Sequence, residues 1–165
     1  MKKKIIITVC ALILLGAAIF AAIHFIDIKT PEEYYNEEDK EKENVIGSVT
    51  ISIRCDRVIG MAEHIPSDGI ILDTATFDIE EGDTVYSILI EAAKKYRLQI
   101  DQNTSGTMTY VSGINNIGEM DFGDVSGWTY TVNGESAMVG ASEYVLKDGD
   151  VIEWKYALTL EDYFG

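Results

Sequence analysis

Side chains able to carry acid–base, nucleophilic or metal chemistry are few in this sequence, and they do not cluster. His24 lies inside an apolar run and His64 in the loop-like stretch AEHIPSDG, and no serine or cysteine is spaced to pair with either. Neither an HExxH pair nor a phosphate-binding glycine loop occurs. Glu119, Asp121 and Asp124 in GEMDFGD, and Asp148 and Asp150 in DGD, lack the full ligand spacing of a calcium loop and read as turn and solvating residues. Cys55 alternates with Val49, Ile51 and Ile53, so it reads as a small core side chain, and Cys10 as one facing lipid. With Cys10 inside the apolar run, Cys55 is the single cysteine of the remainder, and no internal disulfide is expected. Asn103-Thr104-Ser105 matches an N-glycosylation sequon. The expectation is a binding protein, not an enzyme, with no catalytic residue and no metal site.

Charge and hydropathy divide the chain. The formal net charge is −15, which argues against a nucleic-acid partner, because phosphate binding depends on basic side chains displacing counterions. Lys2, Lys3 and Lys4 precede an acid-free apolar run from Ile5 to Ile26, long enough to cross a hydrocarbon layer roughly 30 Å thick. Gly16-Ala17-Ala18 is a weak cleavage site because Phe20, Ile23, Phe25 and Ile26 continue the run, so residues 1–26 are expected to remain as an anchor, with a cleaved signal as the alternative. The lysines place the N-terminus in the cytoplasm and the remainder outside the cell. Residues 27–44 (DIKTPEEYYNEEDKEKEN) are too polar to bury much area and read as a solvated tether, which leaves residues 45–165 as the folded domain.

Within the domain, periodicity assigns the elements. VTISIRC alternates apolar and polar residues as a half-buried strand does, and a second strand is expected through IILDTATFDI. EEGDTVYSILIEAAKKYRL then changes to helical spacing over 83–97, with Val85, Ile88, Leu89, Ala92, Ala93 and Tyr96 on one face and Asp83 or Thr84 as the N-cap. Further strands are expected near TMTYVS, GWTYTVN, SEYVL and VIEWKYAL, with Asn133-Gly134 suited to a type I′ hairpin turn. One helix across a mixed or antiparallel sheet is an α+β arrangement. Alternation places Trp154 and Tyr156 in the core and leaves Trp128 divided between core and ligand edge.

The stretch GWTYTVNGESAMVGASEYVLKDGDVIEWKY resembles the C-terminal signature of the transcobalamin-like domain of exported bacterial proteins, DUF4430, and more distantly the β-domain of the transcobalamin and intrinsic factor family. GDTVYSILIEAAKKY fits that family's single helix, and TYVSGINNIG the segment leading into the Trp strand, so that the resemblance covers roughly residues 47–158. It implies a β-grasp-like fold and a corrinoid ligand such as cobalamin. The strand that touches the corrin in transcobalamins matches Trp128, Thr129 and Tyr130, with Thr129 where a longer amide stands there. The nearby loop matches Val139, Gly140 and Ala141, where a glycine lets backbone approach a ligand closely. The helical barrel that completes the transcobalamin site has no counterpart in this sequence, so half a site is expected. These features predict a membrane-anchored extracellular module that captures a corrinoid or similar amphiphile and passes it to a vitamin importer, with a protein- or glycan-binding adhesion module as the alternative.

Overall fold

The computed structural model describes residues 42–106 and 108–163. The expected anchor, and all of the expected tether except residues 42–44, lie outside these residues. Among the described residues no helix is long and apolar enough to cross a membrane.

The domain is α+β. Strands β1 (Gly47–Arg54) and β2 (Ile70–Ile79) precede helix α1 (Val85–Tyr96). After it come β3 (Ile100–Ser105), β4 (Met108–Ile114), β5 (Ile117–Gly118), β6 (Gly127–Val132), β7 (Glu135–Ser136) and β8 (Val151–Ala157). Five strands form one sheet in the order β2-β1-β8-β6-β7, and β3-β4-β5 form a second. The larger sheet is mixed, because β1 runs parallel to β8, with Ile51 beside Ile152 and Ile53 beside Trp154, while its other pairs are antiparallel.

Strict alternation drives one face of the large sheet inward. Val49, Ile51, Ile53 and Cys55 from β1 and the residue after it join Ile152, Trp154 and Tyr156 from β8 and Trp128, Tyr130 and Val132 from β6, all buried. Helix α1 packs on β1 and β2. It contributes Val85, Ile88, Leu89 and Ala92, each with no exposed surface; burial of a Val, Ile or Leu side chain is worth about 1.5–3 kcal/mol. A reciprocal capping box starts the helix, Thr84 Oγ1 accepting from the Ser87 N–H at 3.1 Å and Ser87 Oγ from the Thr84 N–H at 2.9 Å. Arg97 in the left-handed conformation ends it. Tyr96, expected on the buried face, is 43% exposed, because the last turn runs out to the helix end, where its ring lies 5.8 Å from Lys95 Nζ.

Two further differences have physical causes. The stretch SEYVL is not a strand. Its backbone makes a turn in which the Glu143 and Tyr144 N–H groups return to the Gly140 carbonyl, and only an isolated bridge joins Val145 to Thr84. Strand β3, IDQNTS, is polar and largely exposed, so it carries no apolar alternation, and its pairing with β4 defines it. The end of the acidic stretch is fastened to the domain: Lys42 Nζ lies 2.7 Å from Asp83 and 2.6 Å from Glu91, and the Asn44 N–H donates to Glu80 at 3.0 Å.

Candidate functional site

Strand β6 reaches the edge of its sheet because β7 pairs only with Thr131 and Val132. Asn133 (φ 55°) and Gly134 (φ 81°) make the left-handed two-residue turn expected of Asn-Gly. The Asn133 N–H donates to the Val151 carbonyl at 2.8 Å, which fixes the phase of the strand. Thr131 and Thr129 therefore direct their main chains toward β8, and Trp128 and Tyr130 direct theirs to the side where β7 has ended. At the start of β6 a Cβ on Gly127 would come within 2.9 Å of the Tyr163 hydroxyl, so a larger residue there would displace that ring from its bond to the Val125 carbonyl.

Beyond that edge lies a cleft of about 440 Å³ between β6 and the first half of β4, closed at one end by the loop 137–142. Its lining is uncharged. It contains all six residues expected from sequence, Trp128, Thr129, Tyr130, Val139, Gly140 and Ala141. The volume falls within the usual range of small-molecule pockets, about 300–1,000 Å³.

The walls are held by specific bonds. The Tyr130 hydroxyl donates to the Val139 carbonyl at 2.8 Å and so ties the strand to the loop. The loop in turn caps α1, whose Tyr86 and Val85 N–H groups donate to the carbonyls of Ala141 (2.9 Å) and Tyr144 (3.2 Å). Ser142 Oγ accepts from the Thr109 N–H at 3.2 Å, joining the loop to β4. On the β4 wall Tyr110, about half exposed, donates its hydroxyl to Glu119 at 2.8 Å. Burial, with Tyr144 and Glu143 nearby, pushes the pKa of Tyr130 to about 12, so this phenol stays neutral.

Trp128 belongs to both core and cleft. It is 4% exposed, its indole N–H donates to the Ile117 carbonyl at 2.8 Å, and its ring meets Tyr156 edge-on at 5.3 Å. Trp154, 2% exposed, forms part of the floor as well as the core, and its ring lies 5.3 Å from that of Tyr130. Its indole N–H is buried with no partner among the described residues. Gly140 lines the cleft without conformational need for glycine, since a Cβ there would meet only a Glu143 carboxylate oxygen at an ordinary 3.4 Å. The β4 lining, Met108 and Tyr110 among it, was not foreseen; its only signal was the apolar alternation that marked the strand.

The other candidate residues have ordinary roles. Asp121 accepts from the Gly118 N–H at 2.6 Å, Asp148 from the Ser48 N–H at 2.9 Å, and Asp150 from Lys147 N–H and Asn133 Nδ2 at 2.9 and 2.8 Å, each fixing a turn. Among the described residues no group of acidic, histidine or cysteine side chains is placed to hold a metal ion. Cys55 is a free, buried thiol whose pKa burial pushes up to about 11, with Asp56 and Asp68 adding to the effect. His64 is exposed.

Residues 82–157 match the family model described as a domain of unknown function, DUF4430. No curated protein matches the chain. Among solved structures it is similar to a protein from Ruminococcus gnavus ATCC 29149 described there as a presumptive metal binder, at 13% identity and a TM-score of 0.45 over 68% of this chain and 98% of that one. It is also similar to haptocorrin in complex with Cbi, at 16% identity and a TM-score of 0.45 over 72% of this chain but 27% of that one. Every lining residue of the cleft, from Asn103 to Trp154, falls inside the segment, residues 82–157, that is similar to the DUF4430 family.

Proposed function

We propose that this protein is a membrane-anchored extracellular binding module whose β-grasp-like domain captures a corrinoid, cobalamin or a relative of it, for delivery to an importer. The observation that carries the reading is the convergence of Trp128–Tyr130 and Val139–Ala141 on one uncharged, aromatic-walled cleft. These are the positions that the resemblance to transcobalamins aligns with the corrin-contacting strand and loop. A corrinoid is larger than the cleft, so one edge of the macrocycle enters and the rest stays in solvent. Affinity is then lower than in an enclosing pocket. The module acts by binding and not by catalysis, and the anchor over residues 1–26 keeps it at the cell surface.

A titration of the purified chain with cyanocobalamin and dicyanocobinamide, followed by corrin absorbance, tests this reading. Saturable binding at micromolar ligand is expected, and no binding up to the submillimolar range contradicts it. The second reading, a protein- or glycan-binding surface module, is favoured by one observation. On the other side of the loop lies a shallow depression beside Met138, 86% exposed, and Leu160, 64% exposed, and apolar side chains so exposed suit a macromolecular contact.

A further inference from the structure

The polar hydrogens of the cleft's aromatic walls are already engaged or hidden. The Tyr130 hydroxyl donates to Val139, the Tyr110 hydroxyl to Glu119 and the Trp128 indole to Ile117, each at 2.8 Å. The Trp154 N–H is buried. Two N–H groups of the first turn of α1, which would otherwise attract an anion, are taken by the Ala141 and Tyr144 carbonyls. The aromatic side chains present ring faces and phenol oxygens to a ligand, which are electron-rich, and the main chains of Trp128 and Tyr130 bring an N–H as well as a carbonyl each to the same edge.

The electrostatic surroundings have the same sign. Residues 98–146, which supply the whole lining except Trp154, carry Asp101, Glu119, Asp121, Asp124, Glu135 and Glu143 and no Lys, Arg or His. Two of these carboxylates touch lining residues: Glu119 accepts from Tyr110 at 2.8 Å and Glu143 from the Gly140 N–H at 3.3 Å. Lys155, next in sequence to Trp154, is exposed on the opposite face of β8, 3.4 Å from Glu153.

We infer that the cleft selects an organic cation, an ammonium group on an apolar body, and excludes anions. Ring faces and peripheral carboxylates attract such a charge, while an anion would find carboxylates and no counter-charge in the segment that forms the walls. The inference rests on the reading of the cleft as a ligand site and not on that ligand being a corrinoid.

The test is a titration of the chain, followed by tryptophan fluorescence, with benzyltrimethylammonium and with benzenesulfonate at two salt concentrations. The ammonium ion is expected to bind saturably, severalfold more weakly in high salt, and severalfold more weakly in Glu119→Gln and in Glu143→Gln, while the sulfonate does not bind. Sulfonate binding as tight as that of the ammonium ion, ammonium binding indifferent to salt and to both substitutions, or no ammonium binding overturns the inference. Corrinoid binding without ammonium binding removes this inference and leaves the capture reading. Ammonium binding without corrinoid binding does the reverse.

Discussion

The two ends of the five-stranded sheet are finished in different ways. At one end β2 is an edge strand whose outward residues Asp73, Thr74, Thr76 and Asp78 are polar and exposed, and its pairing with β1 is broken by irregularities in register. Charges and bulges of this kind prevent a free edge from recruiting another chain. Helix α1 covers the inner face there with fully buried aliphatics. At the other end β6 carries no charged residue from Gly127 to Val132 and loses its outer partner after two residues. The inner face of β6 and its neighbour β8 is covered by the second sheet, through the bonds from Trp128 to Ile117 and from the Tyr156 hydroxyl to the Gly118 carbonyl at 2.6 Å. The same sheet is closed at β2 by helix packing and guarded by charge, whereas at β6 it is bordered by aromatics around a cleft. The ligand proposed above enters at the edge left without such protection.

The largest effects should come from removing the aromatics at the β6 end. Trp154→Ala and Trp128→Ala are each expected to cost about 3–5 kcal/mol in denaturant unfolding, because both rings are almost wholly buried. A cost under about 1 kcal/mol for Trp128→Ala would make it a surface residue and break the picture of a cleft built into the core. At the helix end, Leu89→Ala is expected to cost about 2–5 kcal/mol with no change in ligand binding. Loss of binding without loss of stability there would show that the two ends are not separate in function.

A finer comparison sets the two indoles against each other. Trp128→Phe removes a bonded N–H and strands the Ile117 carbonyl, whereas Trp154→Phe removes an N–H without a partner among the described residues. Trp128→Phe is therefore expected to be the more destabilising by about 1 kcal/mol, and the reverse order would mean that the Trp154 donor is satisfied in solution.

The smallest effect concerns the ion cluster at the start of α1. Burial raises the pKa of Asp83, but bonds from Lys42, the Glu80 N–H and Ser87 outweigh it, and the net result is a pKa below the ordinary carboxylate value. A carboxylate depressed on folding stabilises the fold above its unfolded pKa of about 3.9, and that contribution is lost as the pH falls through the lower folded value. Lys42→Ala is expected to cost less than about 1 kcal/mol near neutrality and to flatten the loss of stability below about pH 4. An unchanged acid limb would mean that Lys42 does not hold Asp83 in solution.

Much of the fold was legible because its elements are strongly periodic. IILDTATFDI is β2 residue for residue, and Gly127–Val132 with its Asn-Gly turn, β8 and the capped helix follow the same logic. Polar β3 was not legible, because pairing and not burial defines it. SEYVL was misread because its apolar residues serve a turn that docks on the helix N-terminus, with the Leu146 N–H donating to the Asp83 carbonyl at 2.8 Å. The six expected site residues come together, but their partners on β4 are brought to them only by tertiary packing of a second sheet. No local pattern records that packing, nor the dual position of Trp128.

The central claim, that the β6 end of the sheet is the ligand-binding end, is tested most directly by hydrogen exchange of the chain with and without dicyanocobinamide. Added protection is expected in segments 108–111, 127–130 and 137–142, with the amides of β2 unchanged. Protection appearing at β2, or none at the three cleft segments under saturating ligand, would contradict it.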